Sequence, residues 1–367
     1  MLLIYILVFC ICFFIYFYFR ENENQKNYYI KDGIKIPKNI KYFNVSTNNE
    51  YTQKLLDRII YKGNKMIFVC GDTHSGEAQD LEKLNNKNFK NQYLKNVYFK
   101  FSTTPFNNRL KNNFNNRTIK FYKNGYCDVF LDKKDKVIVL GDFGLIWSLP
   151  NQKYYKQELF YLKQLTQKPY QLLFLDGNHE NHDLLNKLKE KDYCGGKVGI
   201  AYSDKNGEIL HLKRGEVYIF DNKKYFVLGG AKSHSYLEEK DGVNWWNKED
   251  LQLKDVKNSL KNLKKHNFEV DYVLTHNCPS FVGLELYNQL EKPKEPNNFY
   301  EEWEYNRKLN KLNKYLFKVN DNHSKFFDKL INKYNLKFKE WHFGHYHEDK
   351  KIFDKFFVHY NNIVYLN

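Results

Sequence analysis

The feature that most constrains this chain is a repeated ending. Met66-Ile67-Phe68-Val69-Cys70 runs into Gly71-Asp72-Thr73-His74, and Lys136-Val137-Ile138-Val139-Leu140 runs into Gly141-Asp142-Phe143-Gly144. The run 172–175 leads to Gly177-Asn178-His179-Glu180, and 272–275 leads to His276-Asn277. A last block, Gly344-His345-Tyr346-His347, lies near the C-terminus. Short apolar runs that stop at a turn read as buried strands. Acids and imidazoles at such ends need partners, because a buried ionisable group without one is costly. The economical solution is a sheet whose strand ends bring these side chains to one rim.

The intervening segments support an α/β chain. Residues 154–166 space Leu159, Tyr161, Leu162 and Leu165 as a helix does, between two apolar runs. Strand, helix, strand in that order predicts right-handed crossovers and parallel neighbours. From Lys197 the texture changes to shorter β-like pieces at 209–212, 216–220 and 225–228, the last entering Gly229-Gly230-Ala231-Lys232-Ser233-His234. Helical stretches are expected near 248–264, 300–317 and 324–334, and closing strands at 351–353, 356–360 and 363–366. The main folded domain is expected over 64–367. It carries a partly helical surface insertion at about 81–135 and a flap-like one at about 281–340.

The N-terminus has its own logic. Residues 1–19 carry no charged side chain, and Arg20 ends the run. At about 1.5 Å per residue such a helix nearly spans a hydrocarbon core of roughly 30 Å. A basic n-region and small residues at a cleavage site are absent, so a retained transmembrane anchor (1–20) is expected rather than a signal peptide. Residues 21–63 read as a polar tether with a short helix near 52–60. Arg20, Lys26, Lys31, Lys35 and Lys38 follow the anchor, which places the bulk of the protein in the cytoplasm. The scattered cysteines fit a reducing compartment. The net charge of +16 is spread along the chain. It reads as a Lys-biased solvated surface, and a nucleic acid, which wants a basic groove with aromatics, is a less favoured partner.

Asp72, His74, Asp142, Asn178, His276, His345 and His347 together form a mixed oxygen and imidazole ligand inventory. Such donors suit Mn first, with Fe, Zn or Ni also compatible, rather than Ca or Mg alone. No cysteine-pair spacing points to structural zinc. Each motif alone is weak. Five in one order are a binuclear site, with a carboxylate as the natural bridge between two divalent ions.

The blocks Asp72-Thr73-His74, Gly141-Asp142, Gly177-Asn178-His179-Glu180, His276 and Gly344-His345-Tyr346-His347 resemble the calcineurin-like metallophosphoesterase superfamily, in a match covering about 64–367. The wider texture resembles bacterial members of unassigned substrate. The resemblance implies two central β-sheets packed face to face and flanked by helices. It implies that Asp72, His74 and His347 hold one metal, that Asn178, His276 and His345 hold the other, and that Asp142 bridges. A metal-bridging hydroxide would attack a phosphomonoester or phosphodiester of a small molecule or nucleotide, with His179 assisting the leaving group. Arg214, His182 and His234 are candidates for touching the substrate. The alternatives are a nuclease or nucleotide pyrophosphohydrolase of the same fold, or a non-catalytic membrane-tethered interaction module.

Overall fold

The computed structural model describes residues 67–73 and 133–366 apart from 153, 169, 235–239, 297, 298, 361 and 362, together with the backbone of four short strands elsewhere. The expected anchor, nearly all of the tether and His74 lie outside the described residues. Among the described residues no helix is long and apolar enough to cross a membrane.

The chain divides into two units, residues 1–64 with 118–130, and residues 65–117 with 131–367. In the first, β1 (Tyr28–Lys31) pairs antiparallel with β2 (Ile34–Pro37). The second opens with β3 (Ile67–Cys70). Back in the first unit, β4 (Thr118–Lys120) pairs antiparallel with β5 (Asp128–Phe130). The insertion at 81–135 was expected to be partly helical, but its described part in this unit is this strand pair.

Among the described residues the second unit holds two mixed sheets. The first adds β6 (Lys136–Leu140), β7 (Gln171–Leu175), β8 (Glu190–Tyr193), β9 (Gly196–Asp204) and β10 (Gly207–Leu212) to β3. The second is built from β11 (Glu216–Phe220), β12 (Lys223–Leu228), β13 (Tyr272–Thr275), β14 (Glu340–Phe343), β15 (Lys350–Ile352) and β16 (Phe356–Val358). The last strand, β17 (Ile363–Leu366), returns to the first sheet, antiparallel to β3. Strand orders are β17-β3-β6-β7-β10-β9-β8 and β11-β12-β13-β14-β16-β15. β3, β6 and β7 run parallel, as do β12, β13 and β14. Their near-continuous apolar runs follow from burial on both faces.

Period-two alternation divides each strand between two cores. Ile67, Val69, Ile138, Leu140, Leu173 and Leu175 meet Tyr225, Val227, Tyr272 and Leu274, so the sheets share one interior. Among the described residues the α-helices are α1 (Tyr155–Thr166), α2 (His182–Asn186), α3 (Leu253–Lys265), α4 (Ser280–Asn288), α5 (Phe299–Val319) and α6 (Asn322–Asn332). α1 lies against β7, β9 and β10. Phe226, Val273, Trp341 and Phe343 of the second sheet pack on the other side with Leu263 of α3, Val282 and Leu286 of α4, and Phe327 and Leu330 of α6. The stretch 281–340 was expected as a flap. Its α4 and α6 are instead core elements, because each turns an apolar face inward. The part that reaches the rim is the end of α5, through Lys318.

Candidate metal centre

The strand ends converge as the sequence implies. Asp72 follows β3, Asp142 follows β6 and Asn178 follows β7 in the first sheet; His276 follows β13 and His345 follows β14 in the second. Carboxyl ends of adjacent parallel strands are where open α/β sheets bind ligands. Backbones must come very close for this. Gly141 has φ +94°, and a Cβ there would lie 2.1 Å from His276 Nδ1. A Cβ on Gly344 would lie 2.2 Å from Asp72 Oδ1. Asp142, His345 and His347 adopt φ of 50°, 67° and 54°. Left-handed backbone in residues other than glycine persists where surroundings enforce it, and it clusters at functional sites.

Donor atoms of Asp72, Asp142 and His276 all lie within 4.8 Å of one another, and all three residues are buried. His276 Nδ1 donates to the Leu140 carbonyl at 2.8 Å. Its Nε2 faces two oxygens, Asn178 Oδ1 at 3.1 Å and Asp142 Oδ1 at 3.4 Å. A ligating imidazole usually has one nitrogen held by a carbonyl and the other turned to oxygen-rich space. His347 Nε2 is 3.0 Å from Asp72 Oδ2, and its ring stacks on Tyr360. The His345 amide donates to both Asp72 oxygens, at 2.9 and 3.1 Å. The His345 ring lies 4.8 Å from that of His276, and its Nε2 is buried without a hydrogen-bond partner. An orphaned imidazole nitrogen beside two buried carboxylates fits a cation, so the donor set can hold a metal ion.

The charges are arranged accordingly. Burial opposes ionisation of Asp72, but His276 and His347 hold its carboxyl well below the usual range. Burial likewise disfavours a charged His276. Asp142 and then Asp72 outweigh it and push the imidazole up to about 9. Burial, Lys318 and His276 drive His345 well below an ordinary imidazole. At neutral pH His276 is therefore drawn towards its charged form where a cation would sit, while Asp72 is held ionised and the His345 imidazole neutral. Below about pH 9 a metal must displace the His276 proton. Affinity for Mn is expected to rise about tenfold per pH unit towards that value, with one proton released per His276 ligated. Titration calorimetry in two buffers of different ionisation enthalpy measures the release. Affinity unchanged between about pH 7 and about pH 8 would contradict it.

The remaining sequence candidates separate. The His179 amide donates to Asp142 Oδ1 at 2.9 Å, which sets that residue at the rim. The His234 ring is only partly screened from solvent; that desolvation, with Lys314, Lys318 and His179 nearby, lowers it to about 4, so it belongs to the same rim. His182 and Arg214 stand elsewhere. They gather round Asp176, with Arg214 Nε donating to Asp176 Oδ2 at 2.7 Å and Arg214 Nη1 to Asp255 Oδ2 at 3.0 Å. The guanidinium also donates to the carbonyls of Glu249 and Asp250. Arg214 is therefore a buried structural cation rather than a free clamp for substrate.

Several supporting residues carry little sequence signal. Asn178 Nδ2 donates to Ser233 Oγ at 3.1 Å, and Ser233 Oγ donates to Glu249 at 2.8 Å, so the orientation of Asn178 is fixed from the second sheet. Glu180 is fully buried and accepts from the Phe143 and Gly144 amides at 2.7 and 3.2 Å, tying down the loop that follows Asp142. Lys318 donates to the His345 carbonyl and lies over the Tyr346 ring. Burial lowers it to about 8 against the pull of Asp72 and Asp142. Glu180 was visible in its motif, whereas Lys318 is one lysine among many in α5.

No protein-family model matches this chain, and a search of curated proteins finds no match to it.

Proposed function

We propose that residues 64–367 form a calcineurin-like metallophosphoesterase that holds two divalent cations and hydrolyses a phosphomonoester or phosphodiester of a small molecule or nucleotide. One observation carries the reading. Asp72, Asp142, Asn178, His276 and His345, all buried, and the exposed His347, delivered by strand ends from two sheets, meet at one rim. Bound there, two divalent cations supply Lewis acidity, activating water and offsetting charge on the phosphoryl oxygens. The chain's own residues would do the rest. Asp142 would serve both cations, Asp72 and His347 one of them, and Asn178, His276 and His345 the other. His74, outside the described residues, would complete the first set. His179, beside Asp142, would give a proton to the departing oxygen. Lys318 and Lys314 add positive charge on the side where a phosphate anion would approach. Mn is the first candidate, and Fe, Zn or Ni suit the same donors. The apolar run 1–19 supports a membrane anchor, and the basic residues after it support a cytoplasmic catalytic unit.

The test uses the full chain loaded with Mn and assayed on an aryl phosphate monoester, an aryl phosphate diester and a nucleotide panel. Metal-dependent turnover is expected. His179→Ala is expected to lower kcat by about 10²- to 10⁴-fold, the usual worth of a general acid, with metal content unchanged. A chain that binds no metal, or that binds two and turns over none of these esters, would sink the reading.

A further inference from the structure

A second cleft, of about 390 Å³, is lined by none of the metal-centre residues. Four of its lining residues, Asp176, His182, His211 and Arg214, form one buried cluster. His211 Nε2 lies 3.0 Å from Asp176 Oδ1, which leaves the ring's Nδ1 to be satisfied elsewhere. That Nδ1 and the Nε2 of His182 are both buried with no hydrogen-bond partner. Buried polar atoms in native proteins nearly always have one, and an exception needs an explanation.

The rest of the lining narrows the ligand. Lys197, Lys213, Lys248 and Lys254 contribute cations, and Glu190 and Glu216 contribute further acceptors. Among the described residues Leu185 is the only apolar side chain in the lining, and no Phe, Tyr or Trp lines it to stack on a base. The volume falls within the range of small-molecule sites. Lysines recognise phosphate as point charges, while carboxylates and imidazole lone pairs accept from hydroxyls.

We propose that this cleft is a second small-molecule site and that its ligand is a sugar phosphate. The phosphate would lie among the lysines, and the hydroxyls would donate towards Glu190 and Glu216 and pair with the two unpartnered imidazole nitrogens. The proposal does not rest on the metal reading. Asp176 stands two residues before Asn178, and its carbonyl accepts from the Gly230 amide at 2.8 Å.

Titration calorimetry on the full chain, stripped of divalent metal, tests it with glucose 6-phosphate and ribose 5-phosphate as probes. Glucose, inorganic phosphate and AMP serve as partial or mismatched ligands. One sugar phosphate should bind per chain, at least about tenfold more tightly than phosphate, glucose or AMP. The double substitution Lys213→Ala, Lys254→Ala removes two rim charges, one of them paired with Glu190 at 3.0 Å, and leaves the four clustered side chains in place. It should weaken binding about tenfold or more, whereas Asp142→Asn should leave it unchanged. Three results would overturn the proposal. They are no saturable binding of either sugar phosphate up to about 10 mM, parity with inorganic phosphate, and binding that survives the lysine changes but is lost in Asp142→Asn.

Discussion

Asp142→Asn is expected to leave the chain folded, to bind at most one metal ion where the proposed centre would hold two, and to lower the proposed phosphoester hydrolysis about 10³-fold or more. The magnitude follows from position. Residues that only orient a ligand typically cost 10–100-fold in metal affinity or activity when lost, so a carboxylate serving both ions costs more. Asparagine has nearly the same shape. Its oxygen can still accept from the His179 amide, 2.9 Å from Oδ1 in the parent, so the loop keeps its course. The substitution removes the negative charge and turns one acceptor into a donor. His276 Nε2, 3.4 Å from Asp142 Oδ1, loses the stronger of the two carboxylates that sustain its charge. Elemental analysis of the purified variant, with kcat on an aryl phosphate, measures both effects. Retention of two ions with activity within about threefold of the parent would remove Asp142 from the bridging role.

The centre was legible in the sequence because strand-end chemistry is local. An apolar run that stops at glycine and then presents Asp72, Asp142 or Asn178 announces both a strand and a rim residue. Parallel pairing of β3, β6 and β7 then brings these ends side by side without further instruction. Elements with few buried residues were harder to see. β8 reads Glu-Lys-Asp-Tyr at the sheet edge, where no residue of it is fully buried and no apolar run exists. α2 spans five residues, too few for a helical period to show. The misleading inference was about proximity. His182 follows the Gly-Asn-His-Glu block closely in sequence, and Arg214 carries a charge a phosphate would welcome. Both are nevertheless drawn to Asp176, two residues before Asn178, whose buried carboxylate needed a counter-charge that no motif advertised.

That counter-charge sets the second large effect. Arg214→Met should destabilise the protein by about 3–5 kcal/mol, the usual cost of stranding one partner of a buried ion pair. Removing the guanidinium leaves Asp176 and Asp255 facing each other's field, and two carbonyls lose a donor. At roughly 2–4 °C per kcal/mol the melting temperature should fall by on the order of 10 °C. The sign of the pH dependence separates this from a generic packing defect. In the parent, burial, with Arg214 next, holds His182 down at about 3, and burial with smaller contributions lowers His211. Unfolded imidazoles take up protons near pH 6.5, so the parent loses stability as pH falls through that value towards 3. Without Arg214 both imidazoles can protonate beside an uncompensated Asp176. The variant then loses less stability over the same interval, and its deficit should narrow between about pH 7 and about pH 5. Adding Asp176→Asn should recover part of the loss, because the stranded charge goes with it. Thermal melts of the parent, the two single variants and the double variant at both pH values give the answer. A melting temperature within about 2 °C of the parent, combined with a KM raised about tenfold, would return Arg214 to the substrate.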